Sequence, residues 1–324
     1  MNAPDIKSIH TALERVHRFT RETPLLESEL LNQALGGRLL VKAECLQRTG
    51  SFKFRGAINK ISSLSDEQRK NGVVAFSSGN HAQGVAEAAR LFGCRATIVM
   101  PDSAPEIKRR NTLALGAEVI EYDIKTESRE EIGEDIARRT GAVLVRPYDD
   151  PDIISGQATV GLELIRQLSD RSIVPEQLVC PCGGGGLIAG TSIAIHESFP
   201  GCHIYAAEPE FYDDTVRSFE AGQRLSIKPG GSSLCDAIIT PMPGELTFPI
   251  NQAHLAGGLT VTDDEVLNAM FTAFERFKIV VEPGGAAALA GVLNGKVPVE
   301  NKTTVVVCSG GNVDPAVFSR CLSL

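Results

Sequence analysis

Apolar positions recur along the chain in two rhythms, and the alternation between them predicts the fold. Ile9, Leu13, Val16 and Phe19 stand three and four residues apart, which predicts a helix over the first ~20 residues. Arg38 to Cys45 reads as a strand. From Gly72 a regular pattern begins. The short apolar runs Gly72–Phe76, Arg95–Met100, Glu118–Tyr122 and Ala142–Val145 read as strands. Between them Asn80–Phe92, Pro105–Leu115 and Arg129–Arg139 read as helices, the first with Val85, Ala88, Ala89 and Phe92 on one face. Proline opens the second of these, where its missing N–H does no harm. Strands separated by helices of about ten to fifteen residues imply parallel βα units.

After the segment RPYDDPD the pattern resumes. Residues 156–168 read as a helix, and Gln177–Pro181 as a strand that runs into Gly183, Gly184, Gly185 and Gly186. A helix over 187–198 and the strand Cys202–Ala207 follow. Near the end Thr303–Cys308 is a β-branched strand that stops at Ser309-Gly310-Gly311-Asn312. The expected fold class is α/β, with two open parallel-sheet domains. A small domain, residues 69–147, is inserted in a larger one built from 1–68 and 148–324. There is no repeat and no low-complexity tract.

With 324 residues, two domains are the expectation. A net charge of −8 argues against a general affinity for nucleic acid or an anionic membrane. Leu178 to Ile195 carries no charge and approaches a membrane-span length, but Pro181 and four glycines suit a loop rather than a lipid-facing helix. The N-terminus lacks a basic-then-apolar layout, so a signal peptide is not expected. The eight cysteines form no regular framework. Cys180-Pro-Cys182 is open to a redox or metal reading, though tight zinc sites space their ligands by two to four residues. Reduced thiols and a cytoplasmic location are expected.

Four glycines between a strand and a helix make an anion site, because the backbone curves to point several N–H groups inward at a helix N-terminus. Leu187 stands where a Walker A loop needs Lys, so a P-loop is excluded. A dinucleotide fingerprint is a rival: Gly184, Gly186 and Ala189 satisfy G-x-G-x-x-A, and Glu208 lies about twenty residues on, where a ribose-binding acid belongs. A glycine-rich turn that binds nothing is the plain alternative. Other segments bear on the choice. Lys53 lies between Phe52 and Phe54, and Ser77-Ser78-Gly79-Asn80-His81 and Ser309-Gly310-Gly311-Asn312 leave apolar strands. An amine, hydroxyls, a side-chain amide and a phosphate cradle together suit pyridoxal 5′-phosphate, which a lysine amine holds as a Schiff base.

Ser51-Phe52-Lys53-Phe54-Arg55-Gly56-Ala57, Ser77-Ser78-Gly79-Asn80-His81, the tetraglycine loop and Cys308-Ser309-Gly310-Gly311-Asn312 together resemble the fold-type II pyridoxal-phosphate enzymes. Among these the resemblance is to the serine/threonine dehydratase and serine racemase family, over nearly the whole chain. It implies a tryptophan synthase β-like fold, with the cofactor in the cleft between the domains. It implies that Lys53 carries the cofactor and takes the Cα proton, for which the amine must be neutral; apolar and cationic neighbours lower a lysine's pKa. Phe52 would pack on the pyridine ring, or be ordinary core. Asn80 would hydrogen-bond the phenolic oxygen, besides capping a helix. Ser78 would face Cα opposite the lysine, or be a turn serine. Ser77, Ser78, Asn80 and His81 would line the substrate-carboxylate site, and Arg129 is a further substrate-side candidate or a charged helix face. Gly183 to Gly186 with Leu187 would bind the phosphate. Ser309 would meet the pyridine nitrogen; a hydroxyl there leaves the ring a weaker electron sink than a carboxylate would, which favours elimination over transamination.

The resemblance also implies a divalent cation, Mg²⁺ or else Ca²⁺ or Mn²⁺, at Glu208, Asp214 and the carbonyl of Tyr212; two solvated carboxylates are the alternative. The sequence departs from the family at Arg146, where histidine is frequent, and at Cys235-Asp236-Ala237, where A-D-G is common. An extra arginine favours a second substrate carboxylate, as in 3-hydroxyaspartate. The expected activity is deaminating dehydration of a β-hydroxy amino acid, L-threonine or L-serine first, with serine racemisation and 3-hydroxyaspartate dehydration as alternatives and a nicotinamide oxidoreductase as a remote one. Only a short tail follows Ser309, so the regulatory domain of biosynthetic threonine dehydratases is expected to be missing. A homodimer is the family expectation.

Overall fold

The computed structural model of the chain describes residues 3–77, 79–104, 106–228 and 230–323. Two sheets organise it. The larger has six strands: β1 (Leu25–Glu27), β2 (Arg38–Lys42), β7 (Gln177–Pro181), β8 (His203–Pro209), β9 (Gly257–Val261) and β10 (Thr303–Val307), in the spatial order β1-β2-β10-β7-β8-β9. The smaller has four: β3 (Val73–Phe76), β4 (Ala96–Pro101), β5 (Glu118–Tyr122) and β6 (Val143–Leu144), in the order β5-β4-β3-β6. Every pairing is parallel except the edge pair β1–β2.

Helices cover both faces of each sheet. Along the chain they are α1 (Ile6–Val16), α2 (Glu29–Leu35), α3 (Lys53–Ser63), α4 (Asp66–Asn71), α5 (Asn80–Leu91), α6 (Glu106–Ala114) and α7 (Arg129–Thr140). Then come α8 (Pro151–Ser169), α9 (Gly186–Ser198), α10 (Asp214–Ala221), α11 (Thr247–His254), α12 (Asp263–Thr272), α13 (Pro283–Leu293) and α14 (Pro315–Cys321). None of the described helices is long and apolar enough to cross a membrane.

The strand period of two divides the core. In the large sheet Leu39, Val41, Val179 and Val306 face one cluster, with α12 and α13. Leu40, Leu178, Val305 and Val307 face the other, with α8 and α9. In the small sheet Val73, Ala75, Ile98 and Met100 pack toward α3 and α5, and Val74, Phe76 and Val99 toward α7. Each fully buried side chain of this kind stabilises by about 1.5–3 kcal/mol.

This arrangement positions loops. β7 and β10 are parallel neighbours, with Val306 opposite Val179, so their carboxyl ends emerge side by side. Ligands of open α/β sheets bind at such ends. The loop after β7 carries the glycines and the loop after β10 carries Ser309, while the loop after β3, in the other sheet, begins at Ser77.

Where the sequence reading and the structure differ, caps and breakers are responsible. The strand from Arg38 stops at Lys42, and Glu44–Leu46 is a 3₁₀ turn. The helix expected from residue 156 begins at Pro151, because the Asp150 side chain accepts from the backbone N–H groups of Asp152 and Ile153 at 2.8 and 3.2 Å. β9 and α13 carry glycine pairs that weaken their periodic signals.

Candidate active site

Lys53 opens α3, directly after the short bridge Ser51↔Gly310 ties that segment to the loop following β10. Its Nζ donates to the Pro147 carbonyl at 2.8 Å and lies 5.1 Å from the centre of the Phe52 ring. Burial lowers its pKa to about 8, far below an ordinary lysine. About a tenth of the amine is therefore neutral at pH 7, and about half at pH 8.

The amine faces a cavity whose lining includes Phe52, Ser77, Asn80, His81, Arg129, Gly183–Gly186, Leu187 and Ser309. Residues from both sheets thus meet at one place. Ser78 lies outside the described residues. A larger groove, about 640 Å³, between α1 and α8 gathers none of these motif residues.

The tetraglycine turn has room only for glycine. Gly185 has φ +87°, and a Cβ there would lie 2.6 Å from Asn251 Nδ2. A Cβ on Gly184 would lie 2.4 Å from the Tyr148 ring. α9 starts at this turn with no side-chain cap, so the N–H groups of its first turn are free for an anion. α5 also begins without a side-chain cap, at Gly79, and presents a second set of donors beside Ser77.

Asn80 is held on two sides. Its Nδ2 donates to Glu282 Oε1 at 2.5 Å, and its Oδ1 accepts from Asn312 Nδ2 at 2.7 Å. One amide hydrogen remains for a ligand. His81 Nε2 donates to the Val145 carbonyl at 2.9 Å, which leaves Nδ1 as a buried acceptor without a partner among the described residues. Burial, then the nearby Lys53 charge, lowers its pKa to about 3. A neutral ring whose open nitrogen is an acceptor cannot donate to a carboxylate, so any such contact from His81 comes from its backbone N–H. Ser309 is buried, and its hydroxyl has no hydrogen bond within the described protein.

These features fit pyridoxal phosphate. Free N–H groups and a close-fitting glycine turn suit the phosphate, a buried amine of lowered pKa suits the aldehyde, and an unengaged hydroxyl suits the pyridine nitrogen. The nicotinamide alternative loses its acidic partner: both Glu208 oxygens accept from the Thr215 and Val216 amides at 3.1 and 2.8 Å, capping α10.

Comparison with known proteins agrees. Residues 16–310 match the family described as pyridoxal-phosphate dependent enzyme. The chain belongs to that family. It is 41% identical over 323 residues to an L-threo-3-hydroxyaspartate ammonia-lyase of Saccharomyces cerevisiae, covering 100% of this chain and 98% of the other. It is 42% identical over 320 residues to an L-threonine ammonia-lyase of Thermotoga maritima, covering 98% and 77%. The structure of maize serine racemase superposes with a TM-score of 0.92 at 37% identity, covering 99% of this chain and 97% of that one. The fold is therefore that of fold-type II, and the chain is a pyridoxal-phosphate-dependent ammonia-lyase acting by β-elimination on β-hydroxy amino acids.

The family motifs do not single out everything the cavity holds. Lys108, Tyr148, Asp236 and Thr240 also line it, and Glu282 stands behind Asn80. Burial pushes the Glu282 carboxyl up to about 7, against a downward pull from Lys108, and its Oε2 has no partner among the described residues. Arg129 lies 5.5 Å over the Phe76 ring. Arg146 corrects an expectation: it is absent from the lining and pairs at 3.1 Å with Glu134 on α7, so it is not placed to meet a second substrate carboxylate.

Outside the cavity, Asp214 is fully buried near Glu208, and neither of its oxygens has a partner among the described residues. Burial, reinforced by Asp214, raises the Glu208 pKa well above the usual range, and burial raises Asp214 to about 7. Tyr212 donates its N–H to the Pro209 carbonyl at 3.1 Å. Among the described residues no three His, Cys, Asp or Glu side chains gather as a metal site, so a cation here would rely on backbone oxygens and water as well. Two buried carboxylates with two orphaned oxygens suit a hard cation. All eight cysteines are free and buried, Cys180 and Cys182 included.

Proposed function

We propose that the chain converts a 3-hydroxyaspartate to oxaloacetate and ammonia, with L-threonine and L-serine as poorer substrates. The observation that carries this reading is the charge of the cavity wall: besides Lys53 it presents Lys108 and Arg129, against the single carboxylate of Asp236. A β-hydroxy amino acid with one carboxylate needs one anion site. The α5 N-terminus beside Ser77 supplies it. Two more cations make sense with a second carboxylate, and the hydroxyaspartate ammonia-lyase among the relatives supports the same choice.

When bound, pyridoxal phosphate supplies an electron-withdrawing ring conjugated to the substrate nitrogen, which acidifies the Cα–H. The chain's own residues would do the rest. The N–H groups of Gly183–Gly186 and Leu187 would hold the phosphate, Phe52 would pack on the ring, Asn80 would orient the phenolic oxygen and Ser309 would meet the pyridine nitrogen. Lys53 Nζ would carry the cofactor until the substrate amine displaces it; once freed, and neutral in part at pH 8, it would take the Cα proton. Ser77, Asn80 and the His81 backbone bind the α-carboxylate. The β-hydroxyl would leave as water by taking up one proton, which balances the one Lys53 removes from Cα, and hydrolysis of the released enamine would give the keto acid and ammonia. Ser78 as a second proton donor belongs to the racemase alternative.

Glu208, Asp214 and the Tyr212 carbonyl are proposed to hold Mg²⁺ or a similar ion, and a homodimer is the assembly expected. Steady-state kinetics with both diastereomers of 3-hydroxyaspartate, L-threonine and L-serine, with and without Mg²⁺, test the reading. The highest kcat/KM is expected for a hydroxyaspartate, and the metal is expected to raise the thermal midpoint. A preference for threonine or serine overturns the substrate assignment, and formation of D-serine from L-serine would favour racemisation.

A further inference from the structure

Of the two extra cations, one is built into the wall and one is not. Arg129 is partly exposed and pairs at 2.8 Å with its neighbour Glu130. Lys108 projects from α6, in the layer of the small sheet, and is only 6% exposed. Its Nζ would lie 3.7 Å from a Cβ on Gly79, so the ammonium stands against the polar loop that opens α5. Its ion-pair partner is Asp236, on the irregular segment between α10 and α11 that belongs with the large sheet. Both partners line the cavity.

The pair is lopsided. The Lys108 side chain is 7% exposed and the Asp236 side chain 44%. The ammonium is held in the cavity wall with little exposure of its own, whereas the carboxylate is nearly half exposed. An ion pair with one exposed member is weak, while a buried cation left alone is strongly unfavourable. An arriving carboxylate that replaces Asp236 therefore meets little opposition and restores the charge balance at Lys108.

We propose that Lys108 is the receptor for the substrate's second carboxylate, and that Asp236 holds its place until the substrate arrives. The proposal rests on the dicarboxylate reading above. With serine or threonine Asp236 stays paired; with a hydroxyaspartate it is displaced. Asp236 is then an internal competitor, a specificity-determining residue that opposes the ligand Lys108 attracts.

Opposite signs test this. The holoenzyme is titrated with L-aspartate and with L-alanine, which lack the β-hydroxyl and so bind without elimination, and binding is read from the cofactor's absorbance. Lys108→Gln should weaken L-aspartate about tenfold or more, and L-alanine far less, by loss of a buried charge partner. Asp236→Asn should tighten L-aspartate severalfold. A bridge that merely holds the two sheets together predicts that both substitutions weaken both ligands, and that result overturns the proposal. Should Lys108→Gln fail to fold, Asp236→Asn alone decides: unchanged or weakened L-aspartate binding refutes the competitor role. Wild-type protein that shows this binding pattern but does not turn over 3-hydroxyaspartate would refute the activity reading and leave the receptor standing.

Discussion

Replacing Glu282 by glutamine removes one ionisable group from a buried position while keeping its shape. Glu282 is 1% exposed, receives one hydrogen bond from Asn80 and has one oxygen with no partner. Burial raises its carboxyl from 4.5 to about 7. The folded chain therefore holds a proton that the unfolded chain releases near pH 4.5. Stability is retained below that pH, falls as pH rises from 4.5 to 7, and levels off above 7. A shift of this size corresponds to roughly 3 kcal/mol above pH 7. Glu282→Gln abolishes this loss, so the variant should match the wild type near pH 4.5 and exceed it by roughly 3 kcal/mol at pH 8. For a chain of this length that is about 4–5 °C in thermal midpoint. Scanning calorimetry of the cofactor-free protein across pH 4.5–8 measures it. A difference between variant and wild type that does not change with pH would refute the reasoning, because it would mean that Glu282 titrates normally.

Three further outcomes are expected. Lys53, lowered to about 8, should make pyridoxal phosphate uptake by cofactor-free protein accelerate with pH around a midpoint near 8, because the neutral amine is the reacting form; stopped-flow absorbance checks it, and a midpoint near 10 contradicts it. Gly185→Ala forces a side chain into a left-handed backbone 2.6 Å from Asn251 Nδ2, which should weaken cofactor binding by about tenfold, or about 1.4 kcal/mol, in a titration of cofactor-free protein. Glu44→Gln breaks a fully buried pair in which Arg55 donates from Nε and Nη2 at 2.8 Å each, and should cost about 3–5 kcal/mol by denaturant unfolding; an unchanged midpoint would show the network to be dispensable.

Much of this molecule was legible in its sequence. β3, β5 and β7 were readable because short apolar runs between clear helical patterns admit one interpretation. The region from Asp213 to Glu300 was not: α11 begins without a capping side chain, β9 opens on two glycines and α13 is nearly uniform in alanine and glycine. α8 starts ahead of the apolar pattern that marks it from residue 156, because its cap Asp150 and first residue Pro151 sit in a polar segment that reads as loop. At the site, Phe52, Lys53, the glycines, Asn80 and Ser309 carried local motifs. Lys108 and Glu282 did not. Lys108 looks like an ordinary charged helix residue and Glu282 like an ordinary charged residue ahead of a proline, and the importance of each arises only when the fold brings it against a loop distant in sequence. Arg146 shows the converse, a departure from a motif that lies outside the cavity lining and pairs with Glu134.

The account rests on the amine of Lys53. Borohydride reduction of the holoprotein, proteolysis and peptide mass mapping should find one phosphopyridoxyl group, on the peptide containing Lys53. A modification on another lysine, or none, would contradict the account.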